Sequence, residues 1–330
     1  TILIKLLQNF KSLLNTAQDL KVNFIRASHY PYTRYISQLC DELGILLWEE
    51  IPVYWNINWS NAETKTSAKT MLTQMIHRDW NRASVIIWSI GNETPFSDAR
   101  MDFMIDLKET AEGLDSSRLI SAALLSGSVE QFRSLTYFLA KEGLKHNFVS
   151  DYEKAIFKQI VTQFQPLYSS MGTFRINIKD PLAEHLDVIA YNEYFGWYYT
   201  SFIVDQLGVE ESTLRKLMFK LMPTIKIESQ YKKPIHLSEF GAGAKRNFKA
   251  DGGIWSEEYQ KDVYRHQLEM IQNNNQIQGL SPWILKDFRS MMRPLAGVQD
   301  FYNRKGLVDE DGKKKKAFKV LQQFYQDGWE

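Results

Sequence analysis

Seven short apolar runs, separated by stretches of helical spacing, constrain this chain more than any other feature. They cover residues 23–28, 45–51, 84–92, 118–124, 186–192, 234–239 and 279–286. Helix-period spacing predicts helices over 4–20, 35–43, 64–80, 98–114, 201–226, 256–273 and about 314–325, with Gly44 stopping the second. Strands separated by helical crossovers pair in parallel, and each crossover turns right-handed. The expected fold class is α/β, a (β/α)8 TIM barrel lacking its first strand in this chain, because the pattern opens in what would be the first helix. A doubly wound open sheet is the alternative, but no GxGxxG or phosphate loop follows an early strand. Residues 125–185 interrupt the rhythm. They are aromatic and amphipathic, and they read as an insertion over the barrel mouth, between the fifth and sixth strands of one domain spanning 1–330.

A chain of 330 residues, 44% hydrophobic and 24% charged, can bury the core of such a barrel. Forty basic residues against 39 acidic ones leave a net charge of +1, which argues against nucleic acid or an acidic membrane surface as partner. No apolar run reaches the roughly 18 residues that span a bilayer. The chain reads as soluble, with its compartment unassigned and secretion or a periplasmic location open. Cys40 is the single cysteine, which excludes an intrachain disulfide and a cysteine-cluster metal site. No metal-ligand spacing is visible, so no metal is expected. The 13% aromatic content suits sugar stacking and an ordinary core alike. His77 and Cys40 fall on predicted helices away from any motif. The run KKKK at 313–316 is expected to be a solvated face at the start of the last helix.

In a parallel barrel, chemistry gathers at the carboxyl ends of the strands. Those ends are polar here: Arg26 and His29, Glu49 and Glu50, Asn92 and Glu93, Asn192 to Tyr194, Glu239, then Lys286 and Asp287. Two carboxylates end apolar strands abruptly, Glu93 in SVIIWSIGNE and Glu239 in PIHLSE. A carboxylate at the end of a buried strand is costly unless it has a task. Opposed carboxylates at one mouth suit glycoside hydrolysis, in which one protonates the leaving oxygen and the other, ionised, attacks or stabilises the sugar cation. On the residues alone, two unrelated surface acids are an equal alternative.

Several long motifs narrow the choice. NFIRASHYPYTRYISQLCDELGILLWEE resembles the first signature of glycoside hydrolase family 2, HRDWNRASVIIWSIGNE its acid/base signature, and HLSEFGAGA the segment bearing its nucleophile. VIAYNEYFGWYY and FYNRKGL are similar to stretches of the β-glucuronidase branch. The resemblance runs from about residue 5 to 326, apart from 125–185.

It implies a retaining exo-β-glycosidase that needs no cofactor, with Glu93 as acid/base, Glu239 as nucleophile, and Asn92 bonding the sugar 2-hydroxyl. Arg26 is then expected beside Glu239, His29 on the floor of the site or in a structural role, and Glu50 as a supporting or sugar-hydroxyl residue. Asn192, Tyr194 and Trp197 would come from one loop, with Tyr194 bonding the nucleophile and Trp197 either touching sugar or filling core. Trp283 would form an apolar platform under the ring. Asn303 and Lys305 would clamp a uronic acid carboxylate. The branch usually has an arginine four residues before that asparagine, where this chain has Gln299. A β-glucuronide therefore stands slightly ahead of a β-galactoside, and a non-hydrolysing carbohydrate-binding homologue or inactive fragment is the alternative of another class. The expected partner is a β-glycoside. The family's upstream β-sandwich domains lie outside the chain and leave room for a homo-oligomer.

Overall fold

A computed structural model describes residues 2–125, 128–248, 250 and 252–328. Helix α1 (Ile2–Asp19) leads into the first repeats, β1 (Phe24–Ala27), α2 (Arg34–Leu43), β2 (Leu46–Glu50), α3 (Ala62–Asp79), β3 (Val85–Asn92), α4 (Asp98–Leu114) and β4 (Leu119–Leu125). Next come α5 (Val129–Gly143), α6 (Asp151–Tyr168), β5 (Arg175–Ile178), β6 (Val188–Asn192), α7 (Tyr198–Leu207), α8 (Glu211–Leu221), β7 (Lys226–Ser229) and β8 (Ile235–Glu239). The chain finishes with α9 (Glu257–Gln272), β9 (Ile277–Leu280), the short strands β10 (Phe288–Arg289) and β11 (Tyr302–Asn303), and α10 (Lys316–Asp327).

Seven of these strands form one parallel sheet in the order β1-β2-β3-β4-β6-β8-β9. The sheet is curled and open, an incomplete (β/α)8 barrel with helices on its outer side. Its two edges, β1 and β9, share with α1 and Tyr325 an apolar cleft of about 970 Å³ open to solvent.

Side-chain alternation sorts each strand between two environments. Trp48, Ile87, Ala123 and Ala190 pack together in the barrel interior with Phe24, and His236 meets the rings of Phe24 and Trp48 there. Burial, with the nearby Arg26 charge, pushes the His236 pKa down to about 3, so the ring is neutral. Leu47, Ile90, Ile120, Ile189 and Leu237 belong to the larger cluster beneath the helices. The same alternation separates two adjacent acids. Glu50 follows Trp48 inward, whereas Glu49 points outward to Arg78 on α3. Burial and the neighbouring Asp79 raise Glu49 to about 8.

Local signals place the helices. Thr33, Asn61, Ser97 and Ser256 accept backbone N–H bonds as N-caps of α2, α3, α4 and α9. Gly44 ends α2 in the left-handed region at φ 68°, as its position in the sequence predicts.

Three expectations need correction. The helix expected over 201–226 is two helices, because Gly208 (φ 63°) ends α7 and Pro223 closes the turn after α8. The residues that follow form β7, which pairs in parallel with β5, a strand within 125–185 that local patterning does not reveal. The eighth strand, expected over 279–286, stops at Leu280, since Pro282 cannot donate to a ladder. Within 125–185, α5 packs on α6 and on α8, outside the large sheet.

Candidate active site

Strand ends converge on Arg26. Its guanidinium, 2% exposed, donates to Glu50 at 3.0 and 3.1 Å, to Glu239 Oε1 at 2.9 Å, to Asn92 Oδ1 at 2.8 Å and to the Ser238 carbonyl at 3.1 Å. Four strands, β1, β2, β3 and β8, are thereby joined through one side chain. Burial works against that charge, but Glu50 and Glu239 hold the Arg26 pKa above its ordinary value. Glu50 also accepts from Trp48 Nε1 and Ser89 Oγ and contacts His29 Nδ1 at 2.8 Å. Burial pushes Glu50 up, yet Arg26, His29 and Ser89 outweigh it and keep the carboxylate below its usual range.

Glu239 ends β8 with two strong partners. Arg26 holds Oε1 and the Tyr194 hydroxyl donates to Oε2 at 2.7 Å. His29 Nε2 stands 3.6 Å from Oε1. The chain after Glu239 has no room for a side chain at Gly241, where φ is 125° and a Cβ would lie 2.6 Å from the Tyr264 hydroxyl. Burial and the Glu239 charge push the Tyr194 phenol well above its ordinary pKa, so it remains a donor.

Glu93 differs. It is the first residue after β3, held at φ 51° by a bond from its N–H to the Ala123 carbonyl. That left-handed turn costs about 1 kcal/mol for a residue with a Cβ. Gly91 permits the approach, because a Cβ there would sit 2.8 Å from Met104 and 3.0 Å from the Val53 carbonyl. Among the described residues, the Glu93 carboxylate receives only neutral donors, Trp55 Nε1 at 2.9 Å and Asn192 Nδ2 at 2.9 Å. Burial, then the charge of Glu239, raises its pKa above the usual range. Asn192 also donates to Asn92 Oδ1 at 3.1 Å and accepts from Ser238 at 2.6 Å, which ties β6 to β3 and β8.

The aromatic walls are built on the same ends. Trp283, just past β9, stacks on His29 with centroids 4.9 Å apart. Trp197 is buried between Tyr194, Tyr259 and Trp255, meeting Trp255 edge-on at 4.8 Å. Asn303 ends β11, and its side chain accepts from the Lys305 N–H at 3.2 Å. The Lys305 ammonium donates to the Tyr198 hydroxyl and lies over the rings of Tyr194 and Tyr198 at 5.1 and 4.6 Å. Thus Arg26, His29, Glu50, Asn92, Glu93, Asn192, Tyr194 and Glu239 form one bonded network. Trp283 adjoins it through His29 and Lys305 through Tyr194, while Trp197 and Asn303 line a neighbouring cleft.

Sequence reasoning missed the supporting donors Trp48, Ser89 and Ser238, and three further residues. Trp55 bonds Glu93 from the loop after β2, where its place downstream of a strand end was the available signal. Tyr198 was passed over beside Tyr194, and nothing local marks Arg293, whose Nη2 reaches the Tyr198 hydroxyl at 3.3 Å. The lysine run also needs correction. Lys315 is fully buried, its ammonium shared between the Ala244 carbonyl, Asp287 Oδ1 at 2.7 Å and the Arg304 carbonyl. It joins the segment after Glu239 to the loop bearing Lys305, a long-range role that a charge run does not disclose. Among the described residues, no group of His, Cys, Asp and Glu is arranged to hold a metal, and no helix is long and apolar enough to cross a membrane.

This parallel half-barrel, with two carboxylates in contrasting surroundings at its strand ends, has a glycosidase fold. Residues 7–327 match the family described as glycosyl hydrolases family 2, TIM barrel domain, and the chain belongs to that family. It is 26% identical over 318 residues to the β-glucuronidase of Canis lupus familiaris, covering 94% of this chain and 39% of that protein. A β-galactosidase of Thermoanaerobacterium thermosulfurigenes is 40% identical over 101 residues, 30% of this chain and 13% of that one. A crystal structure of a family 2 β-galacturonidase from Eisenbergiella tayi bound to galacturonate superposes with a TM-score of 0.69 at 24% identity, covering 97% of this chain and 47% of that one. The chain spans 33–44% of the length of the first three curated relatives it matches.

Proposed function

We propose that this chain is the catalytic barrel of a retaining exo-β-glycosidase acting on β-glucuronides. The contrast between the two carboxylates carries the reading. Glu239 is bonded by a buried guanidinium and a phenol, which suits an ionised nucleophile. Among the described residues, Glu93 is bonded only by neutral groups, and its pKa is raised, which suits a proton donor.

In the first step Glu239 attacks the anomeric carbon, the bond to the aglycone breaks, and Glu93 gives its proton to the departing oxygen. In the second, Glu93 takes a proton from water as the water oxygen attacks the same carbon, releasing the sugar and restoring the Glu239 carboxylate. Asn92 and Asn192 orient the ring hydroxyls and Glu93. Arg26 and Glu50 fix the nucleophile, and His29, Trp283 and Trp197 form the floor and walls. Asn303 and Lys305 take the substrate carboxylate.

The dog relative, a β-glucuronidase aligned with 94% of this chain, supports the uronate. A β-galactoside is the second reading, favoured by the uncharged Gln299 and by the 40% identical galactosidase segment. The test compares kcat/KM of the full-length protein on p-nitrophenyl β-glucuronide and β-galactoside, and follows the anomer released by proton NMR. Preference for the glucuronide with first release of the β-anomer is expected. An α-product would remove the retaining mechanism, and turnover of neither substrate would favour a non-hydrolysing protein.

A further inference from the structure

Beside the carboxylate network lies a cleft of about 530 Å³, open to solvent and lined by Trp197, Tyr198, Trp255, Arg293, Gln299, Asn303, Arg304 and Lys305. Three cations face it, and they are not equivalent. Arg304 is neutralised by Asp287 and Glu310. Among the described residues, Lys305 and Arg293 form no ion pair, and the nearby Asp300 is taken by Lys245. Lys305 is 5% exposed, and its ammonium meets a hydroxyl and two aromatic rings but no anion among the described residues.

Both free cations converge on one neutral atom, the Tyr198 hydroxyl oxygen, to which Lys305 Nζ and Arg293 Nη2 each donate. Like charges drawn to one point repel, and an anion placed between them relieves that repulsion and the missing charge at Lys305 together.

The loop that presents Arg293 is fixed on the same hairpin as Asn303. Strands β10 and β11 pair, the Arg293 N–H donates to the Ser290 carbonyl, and the Phe301 N–H donates to the Arg293 carbonyl. Lys245 ties the far side of that loop through the Gly297 carbonyl and Asp300. Gln299, on the same loop, brings an amide and no charge.

We propose that Arg293 is a specificity-determining residue that shares with Lys305 the binding of the substrate carboxylate. A guanidinium adds what an ammonium cannot, a planar pair of donors matched to the two carboxylate oxygens. Tyr198 sits between them as the spacer that keeps both cations turned into the cleft before substrate arrives. The inference rests on the uronate reading above.

The experiment uses the full-length protein and two aryl substrates that differ only at the sugar C6, p-nitrophenyl β-glucuronide and p-nitrophenyl β-glucoside. Arg293→Gln should lower the glucuronide-to-glucoside ratio of kcat/KM by roughly tenfold, chiefly through KM for the glucuronide. Arg293→Lys should recover part of the ratio. Adding Gln299→Arg to Arg293→Gln should also raise it, because a cation returns to the same cleft. Circular dichroism and the thermal unfolding midpoint report that each variant is folded. If wild-type enzyme prefers the neutral sugar, the uronate reading fails and this inference with it. If wild type prefers the glucuronide but Arg293→Gln leaves the ratio within about twofold, the carboxylate site stands without Arg293 and the present inference alone is overturned.

Discussion

Replacing Trp55 by phenylalanine isolates one bond of the proposed acid. The indole Nε1 donates to Glu93 Oε2 at 2.9 Å, while the ring meets Tyr54 edge-on at 5.4 Å, a contact that phenylalanine can largely keep. This bond favours the charged form of Glu93, opposing the rise that burial and Glu239 impose. A hydrogen bond to a charged group is worth about 1.5–3 kcal/mol, and one pKa unit corresponds to about 1.4 kcal/mol. Trp55 is about half exposed, so solvent screening favours the lower end, a rise of about one unit.

The sign follows from the role. Glu93 must be protonated for the glycosylation step, so kcat/KM falls as pH rises through its pKa. Removing the donor raises that pKa and moves the alkaline limb of the profile upward by about one unit. The assay is a pH profile of kcat/KM on an aryl β-glycoside with a poor leaving group, with circular dichroism confirming the fold. A limb that stays in place, or moves down, would refute the assignment of Glu93 as the acid or the account of its tuning.

The nucleophile and acid should separate by leaving group. Glu239→Ala is expected to abolish turnover of every substrate, whereas Glu93→Ala should slow poor leaving groups far more than activated aryl ones, and equal losses on both would contradict the acid role. Lys305→Ala should lower the ratio of glucuronide to galactoside kcat/KM roughly ten- to a hundredfold, the worth of about 1.5–3 kcal/mol in a charge-assisted contact; parallel losses on both sugars would make Lys305 structural. Lys315→Met removes the shorter of the two ion pairs held by the buried Asp287, leaving Arg304 at 3.4 Å, at a cost of about 1.5–3 kcal/mol read from urea unfolding. A loss under about 1 kcal/mol would mean that the ion pair is replaceable. Gly91→Ala should destabilise by about 1–3 kcal/mol, since the Val53 carbonyl at 3.0 Å is backbone and cannot swing aside. An unchanged unfolding midpoint would show that the turn before Glu93 has slack.

The strand and helix alternation was legible because it is written in local periods. Val85–Asn92 buries almost every residue, and Glu93, the acid expected at its end, is the next residue along the chain. Caps such as Thr33 and Gly44 act within a few residues and could be read in place. Motif resemblance then brought Tyr194 and Arg26 toward Glu239, across 45 and 213 residues, which no period encodes. The rest was decided by tertiary structure. Trp55 reaches Glu93 across 38 residues, and Arg293 reaches Tyr198 across 95. Strand β5 pairs with β7, which lies beyond α7 and α8 in the chain. Lys315 sits in a run that reads as solvated, but it is buried because three acceptors from Ala244, Asp287 and Arg304 surround its ammonium. Local sequence sets which way a side chain leaves its own strand or helix. Whether it meets water, a cation or a carboxylate depends on which distant strand end the curled sheet brings opposite it, and that is a property of the folded sheet alone.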